Sequence, residues 1–172
     1  MNSQKRIFVI AGESSGDQHA ADYIKKHKHI NRNIIFDAFG QNEVKKTNAN
    51  IIYDTEKISV IGIIEVIIRY REILQALKIA KEYIKDKKPD LIVLVDYIEF
   101  NLKVAKFAKN QGIPVLFYIA PQVWAWREKR AKKFVHATNH LAVIFPFEED
   151  YFKKYTNNVT YVGHPLSKIS GL

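Results

Sequence analysis

Cysteine is absent from all 172 residues. No disulfide framework, thiolate nucleophile or thiolate metal site is therefore available. The six histidines show no HExxH or other ligand spacing, so neither a metal nor another cofactor is expected. Proline, at five, and glycine, at seven, are few. They form no linker, low-complexity tract or repeat that would divide the chain, which reads as one domain over residues 1–172, long enough to bury a core. No apolar run approaches the ~20 residues needed to span a bilayer. The opening Met-Asn-Ser-Gln-Lys-Arg runs directly into a strand-like segment with no apolar leader region. The expected address is cytoplasmic, with peripheral membrane contact open.

Acidic residues are outnumbered, at 18 Asp and Glu against 27 Lys and Arg, for a formal charge of +9. The excess gathers at Lys25–Lys28, Lys85–Lys88 and Arg127–Lys133. A solvated surface, an anionic membrane, a phosphorylated substrate and nucleic acid all fit such charge. For nucleic acid the charge stands alone, without an RNA-binding signature or recognition-helix pattern.

Hydrophobic residues make up 47% of the chain, the composition of a folded globular domain. Apolar runs predict strands at Arg6–Ala11, Ile34–Phe39, Ile51–Tyr53, Leu91–Val95, Pro114–Ile119, His140–Ile144 and Val159–Val162. The unbroken Leu-Ile-Val-Leu-Val at Leu91–Val95 fits a parallel strand covered on both faces. Helical patterns run from the first loop to about Lys28, at Val60–Ile68, Arg69–Lys87, Phe100–Asn110, Glu128–His136 and Phe147–Tyr155. Strands alternating with helices predict an α/β fold, a Rossmann-like, doubly wound parallel sheet. Ligands of such sheets sit at the carboxyl ends of the strands, which directs attention to the loops after Ala11, Val95 and Ile119.

The first of these loops, Gly12-Glu13-Ser14-Ser15-Gly16-Asp17, turns a strand into a helix whose first amides can meet an anion or a sugar hydroxyl. It is neither GxGxxG nor a P-loop. It reads equally as a structural turn, with Ser15 or Asp17 capping the helix, or as a ligand site. Asp96 stands at the end of a central strand, where a carboxylate can take a proton from a substrate hydroxyl. The bland alternative, a cap for the helix near Phe100, suits Glu99 or Asn101 better. Pro121-Gln122-Val123-Trp124-Ala125-Trp126-Arg127 holds both tryptophans. Their rings either stack on a sugar or pack the loop down, while Arg127 and Arg130 can grip a phosphate. In Val60–Leu74, Gly62, Glu65, Arg69 and Glu72 form one narrow polar stripe in an otherwise apolar wrap. Either this helix is buried nearly all round, or Ile63, Ile64, Ile67, Tyr70, Ile73 and Leu74 meet acyl chains or lipid.

Taken in order, several of these segments resemble the lipid-A-disaccharide synthase family. They are Ala11–Asp17, Ile61-Gly62-Ile63-Ile64-Glu65-Val66, Asp96 with Phe100-Asn101, Pro121–Arg127 with Arg130, Pro146-Phe147-Glu148 and Val162-Gly163-His164-Pro165. The resemblance covers the N-terminal half of that family. Two departures stand out. Phe39-Gly40-Gln41-Asn42-Glu43-Val44 replaces a glycine-rich turn, and Asp96-Tyr97-Ile98-Glu99-Phe100-Asn101 replaces Asp-x-Pro-Asp-Phe-Asn.

The resemblance implies the acceptor-side domain of a type B (GT-B) glycosyltransferase, whose second, nucleotide-sugar domain would follow Pro165. The implied reaction joins UDP-2,3-diacylglucosamine to 2,3-diacylglucosamine 1-phosphate (lipid X), releasing UDP, with no obligatory metal. Asp96 matches the position of the base, and Glu13, Ser15 and Gly16 match a loop lining the cleft. With these three, Gly12, Asp17, Gln122, Trp124, Arg127 and Arg130 are the candidate substrate contacts. The implied partners are these two lipids, the anionic inner-membrane surface and a C-terminal half, either the rest of a longer protein or a separate chain. A non-catalytic lipid- or membrane-binding module is the alternative from another class.

Overall fold

The computed structural model describes residues 4–58, 65–119 and 128–164; the side chains of 57–58, 65–69 and 128–130 fall outside that description. Seven strands form one sheet: β1 (Lys5–Ala11), β2 (Ile34–Gly40), β3 (Asn50–Asp54), β4 (Leu91–Val95), β5 (Val115–Tyr118), β6 (His140–Val143) and β7 (Val159–Tyr161). Their order is β3-β2-β1-β4-β5-β6-β7, and every neighbouring pair is parallel. The helices are α1 (Ser14–Ile30), α2 (Asn42–Lys45), α3 (Glu65–Lys87), α4 (Ile98–Asn110), α5 (Glu128–Ala137) and α6 (Pro146–Lys153), with a 3-10 turn at Thr55–Ile58.

Period-two alternation along the strands feeds two cores. Phe8, Ile10, Phe39, Leu94 and Phe117 point to one face, where α3, α4, α5 and α6 cover them with Ala80, Ile84, Val104, Phe134 and Phe152. Val9, Ala11, Val93 and Val95 point to the other face, where α1 supplies Ala20, Ala21 and Ile24 and α2 supplies Val44. A strand buried on both sides must be apolar throughout, which is why Leu91–Val95 carries no polar residue.

The order reverses between β1 and β4. Strands before β4 build outward on one side of β1, and later strands build on the other. Ala11 pairs with Val95 as the last step of the β1–β4 ladder, so Gly12 and Asp96 are the next residues of the two chains. Such a switch point leaves a crevice at the strand ends because the two connections leave on opposite faces.

Three sequence expectations change. The two helical stretches expected at 60–68 and 69–87 are one helix from Glu65, because no breaker interrupts Glu65–Lys87. The helix expected from Phe100 begins at Ile98, directly after a Tyr97 in left-handed conformation. The segment after β2, read only as a departure from a glycine-rich turn, contains the short helix α2.

Candidate active site

Two loops meet at the β1–β4 crevice, and close packing sets their distance. A Cβ on Gly12 would lie 2.3 Å from Cδ1 of Tyr97, and one on Gly16 would lie 3.2 Å from Cβ of Asp96. Glycine at both positions lets α1 and the turn after β4 come this close. Across the gap the Ser15 hydroxyl donates to Oδ2 of Asp96 at 3.3 Å. The half-buried Asp96 also accepts the amide of Tyr97 on Oδ1 at 3.1 Å.

The turn carrying Asp96 is strained. Asp96 and Tyr97 have φ of 53° and 45°, a left-handed pair that costs non-glycine residues of order 1–3 kcal/mol each. Asn101 holds it in place. Fully buried, its Nδ2 donates to the carbonyls of Val95 at 3.2 Å and Asp96 at 2.7 Å, and the Tyr97 ring stacks on Phe100 at 5.3 Å. Asn101 is thus the structural residue that its position suggests. The N-cap position of α4 is Tyr97, without a side-chain cap bond, so Asp96 is not spent as the cap of that helix. Its carboxylate stays at the crevice.

Asp17 requires a correction. Read as a cap of its own helix or a substrate contact, it is 2% exposed, and its carboxylate is taken up by the loop after β2. Oδ1 accepts the Gln41 amide at 2.6 Å, and Oδ2 accepts those of Glu43 at 2.7 Å and Val44 at 3.4 Å. These amides open α2, where a helix has no internal acceptors of its own. Asp17 therefore caps a different helix from the one it belongs to. Gln41 completes the clamp, donating from Nε2 to the Gly12 carbonyl at 3.2 Å and accepting the Ser14 hydroxyl on Oε1 at 3.3 Å. Thr55 donates to the Ala11 carbonyl at 3.0 Å. The residues that replace the glycine-rich turn thus fasten the loop after β1 from below.

Charge converges on the same edge. The Glu13 carboxyl is held above its ordinary range, first by partial burial and then by the Asp96 charge. His19 escaped the sequence reading, and its only signal is its place one helical turn beyond Ser15. Burial holds its imidazole below the ordinary histidine range; His164 adds to the lowering, while Asp22 and Asp96 oppose it. Its Nδ1 is buried, with no hydrogen-bond partner among the described residues. Glu148, of the Pro146-Phe147-Glu148 segment, is fully buried and accepts the amides of Ile144 at 3.2 Å and Phe145 at 3.1 Å, fastening the start of α6.

The remaining candidates divide. Gln122, Trp124 and Arg127 lie outside the described residues, as do Ile63 and Ile64 and the side chains of Ile67 and Arg130. Tyr70 is 61% and Leu74 43% exposed on α3, whereas Ile73 packs against the core beneath that helix. Among the described residues no group of three or more His, Cys, Asp or Glu could hold a metal ion. No described helix is long and apolar enough to cross a membrane.

Residues 7–170 match the family described as lipid-A-disaccharide synthetase. This chain belongs to the lipid-A-disaccharide synthase family. It is 39% identical over 165 residues to the lipid-A-disaccharide synthase of Nitrosococcus oceani, covering 96% of this chain and 43% of that one. With the enzyme of Geobacter metallireducens the identity is 38% over 163 residues, covering 95% and 42%. The chain thus spans less than half the length of the curated synthases it matches, their N-terminal part.

Solved structures share the synthase-family fold seen here. MurG of Acinetobacter baumannii aligns with a TM-score of 0.57 at 17% identity, over 92% of this chain and 44% of that one. UDP-GlcNAc 2-epimerase of Neisseria meningitidis, solved with UDP-GlcNAc bound, aligns with 0.65 at 11% identity, over 92% and 46%. At such identities the likeness speaks for the GT-B fold alone.

Proposed function

We propose that this chain forms the acceptor side of a lipid-A-disaccharide synthase, with Asp96 as the general base of an inverting glycosyl transfer. The observation that carries the reading is the meeting of Ser15 and Gly16 with Asp96 at the β1–β4 switch point, in a chain matched over residues 7–170 by that family. The Asp96 carboxylate takes the proton of the 6-hydroxyl of 2,3-diacylglucosamine 1-phosphate. The freed oxygen attacks the anomeric carbon of UDP-2,3-diacylglucosamine from the face opposite UDP, the C–O bond to UDP breaks, and a β-1,6-linked disaccharide forms. Ser15 orients the base, and Glu13 offers a hydrogen bond to the sugar. Gln122, Trp124, Arg127 and Arg130 are assigned to substrate contacts on the neighbouring loop.

Stabilising the departing diphosphate requires groups from the other side of a two-domain cleft, and in this reading they belong to the length of the relatives beyond the match. The purified chain alone should therefore release no UDP. Addition of a complementary C-terminal half from a relative should restore release that depends on both lipids. Release by the chain alone would refute the division of labour, and no release from any complemented preparation would refute the transferase reading.

The substrates carry acyl chains, and residues 60–74 are the assigned acyl or membrane contact, placing the protein peripherally on the cytoplasmic side of an anionic inner membrane. The exposed Tyr70 and Leu74 also favour a second reading, a non-catalytic lipid-binding module. That module would bind vesicles and yet stay inactive with every complementing half.

A further inference from the structure

The crevice makes no use of the basic cluster Lys25–Lys28. These residues lie in the last turns of α1, at the amino edge of the sheet. The run of β2 from Ile34 to Gly40 separates this edge by about 20 Å from the strand ends where Asp96 lies. A cavity of about 420 Å³ opens here between the end of α1, the turn before β2 and the segment after α2. Its wall carries Lys25, Lys28, His29, Arg32 and Lys46, with no carboxylate among the lining residues. Ile24 and Phe36, 1% and 2% exposed, give it an apolar floor.

The charges around this cavity are only partly answered. Lys46 pairs with Glu43 at 2.5 Å. Lys28 donates to the carbonyls of Arg32 at 3.1 Å and Ile34 at 2.6 Å. Those bonds occupy two acceptors that would otherwise repel an anion, and they hold a half-buried ammonium in the wall. Arg32 stands on a turn fixed by the Asn33 amide, which donates to Oδ1 of Asn31 at 2.9 Å. Among the described residues, the side chains of Lys25 and Arg32 have neither an ion pair nor a hydrogen bond. Three permanent cations, Lys25, Lys28 and Arg32, thus face one cavity without a carboxylate partner.

We infer that this cavity is a second ligand site, separate from the β1–β4 crevice, for a small organic diphosphate of the nucleoside diphosphate class. Such a molecule carries about three negative charges near neutral pH, which matches the cations left once Lys46 is paired with Glu43. The Arg32 guanidinium takes two oxygens of one phosphate, and the ammonium groups of Lys25 and Lys28 answer the other. The volume lies within the ~300–1,000 Å³ of small-molecule pockets, so a body beyond the phosphates fits over Ile24 and Phe36. An inorganic anion leaves that floor uncovered. A nucleic-acid strand needs exposed aromatic rings along an open track, whereas Phe36 is buried at the bottom of a cavity. The inference goes beyond the transferase reading and does not rest on it.

The test titrates the 172-residue chain with UDP, pyrophosphate and uridine in an isothermal calorimeter. UDP should fill one site with a Kd below about 1 mM, and its affinity should fall with salt. Pyrophosphate, which leaves the apolar floor uncovered, should bind at least ~3-fold more weakly, and uridine should not bind. The double change K25A/R32A should weaken UDP at least ~10-fold. An equal loss of charge on α4, K103A/K106A, should leave it within about two-fold. All four exchanged residues are exposed, and matching circular dichroism and melting temperatures establish that each variant folds. Four results would overturn the inference: no UDP binding by the wild-type chain, an unchanged affinity in K25A/R32A, an equal loss in K103A/K106A, or pyrophosphate binding as tightly as UDP. A short single-stranded RNA that binds more tightly than UDP and displaces it would overturn it in favour of a nucleic-acid surface. The transferase reading, tested by UDP release from the complemented enzyme, stands or falls separately.

Discussion

Removal of the Asp17 carboxylate should loosen the loop after β2 and destabilise the whole domain. Two short bonds to a buried carboxylate are lost in Asp17→Ala, those from the amides of Gln41 at 2.6 Å and Glu43 at 2.7 Å. At about 1.5 kcal/mol for each charge-assisted bond, the loss is about 3 kcal/mol, leaving the 3.4 Å contact of Val44 aside. For a chain of this size each kcal/mol moves the melting temperature by about 2–4 °C, so a fall of about 6–12 °C is expected. Asp17→Asn keeps one acceptor but turns an amide group toward another donor, and should lose at least half as much. Thermal unfolding followed by circular dichroism reads both, with the exposed neighbour Gln18→Ala as an unchanged control. A melting temperature for Asp17→Ala within about 2 °C of wild type would refute the assignment and return Asp17 to the ligand contacts.

Further outcomes follow from the same geometry. Tyr23 is pushed up to about 12 by burial first and Tyr118 second. Its folded state holds the proton after the unfolded chain has lost it, so this contribution to stability is complete below about pH 10 and disappears toward about pH 12. Tyr23→Phe should flatten the loss measured by urea unfolding across that window. His19 is shifted the opposite way, mainly by burial. Its contribution is present above about pH 6.5 and falls away in acid as the unfolded imidazole takes up a proton, and His19→Gln should remove that part of the acid slope. Gly12→Ala forces a Cβ to within 2.3 Å of the Tyr97 ring, which is itself stacked on Phe100. It should cost about 1–3 kcal/mol in chemical denaturation, and any smaller cost would mean that the two loops are not in close contact.

The architecture could be read from the sequence wherever local pattern and tertiary demand coincide. Leu91–Val95 is apolar because both of its faces are covered, and Asp96 lies at a strand end because the apolar run stops there. Gly112, with φ of 72°, follows the end of α4, where a helix C-terminus favours glycine. The misreadings are long-range. Nothing local to Gly-Glu-Ser-Ser-Gly-Asp tells that its aspartate serves amides 24 to 27 residues away. The left-handed pair Asp96-Tyr97 is equally silent, since Asn101, which holds it, acts through backbone carbonyls rather than through a side-chain pattern. His19 stayed hidden because a lone histidine on a helix carries no spacing signal. The boundary expected between 68 and 69 falls inside α3, where neither proline nor glycine interrupts Glu65–Lys87.

The most direct measurement is the rate of lipid-X-dependent UDP release by the complemented enzyme, wild type against Asp96→Asn. That substitution keeps the size of the side chain and one of its two acceptor oxygens but removes the basic carboxylate. The account predicts a fall in kcat of about 10²–10⁴-fold with the acceptor KM changed little. A variant that turns over within about two-fold of wild type would show that the carboxylate at the β1–β4 crevice is not the base.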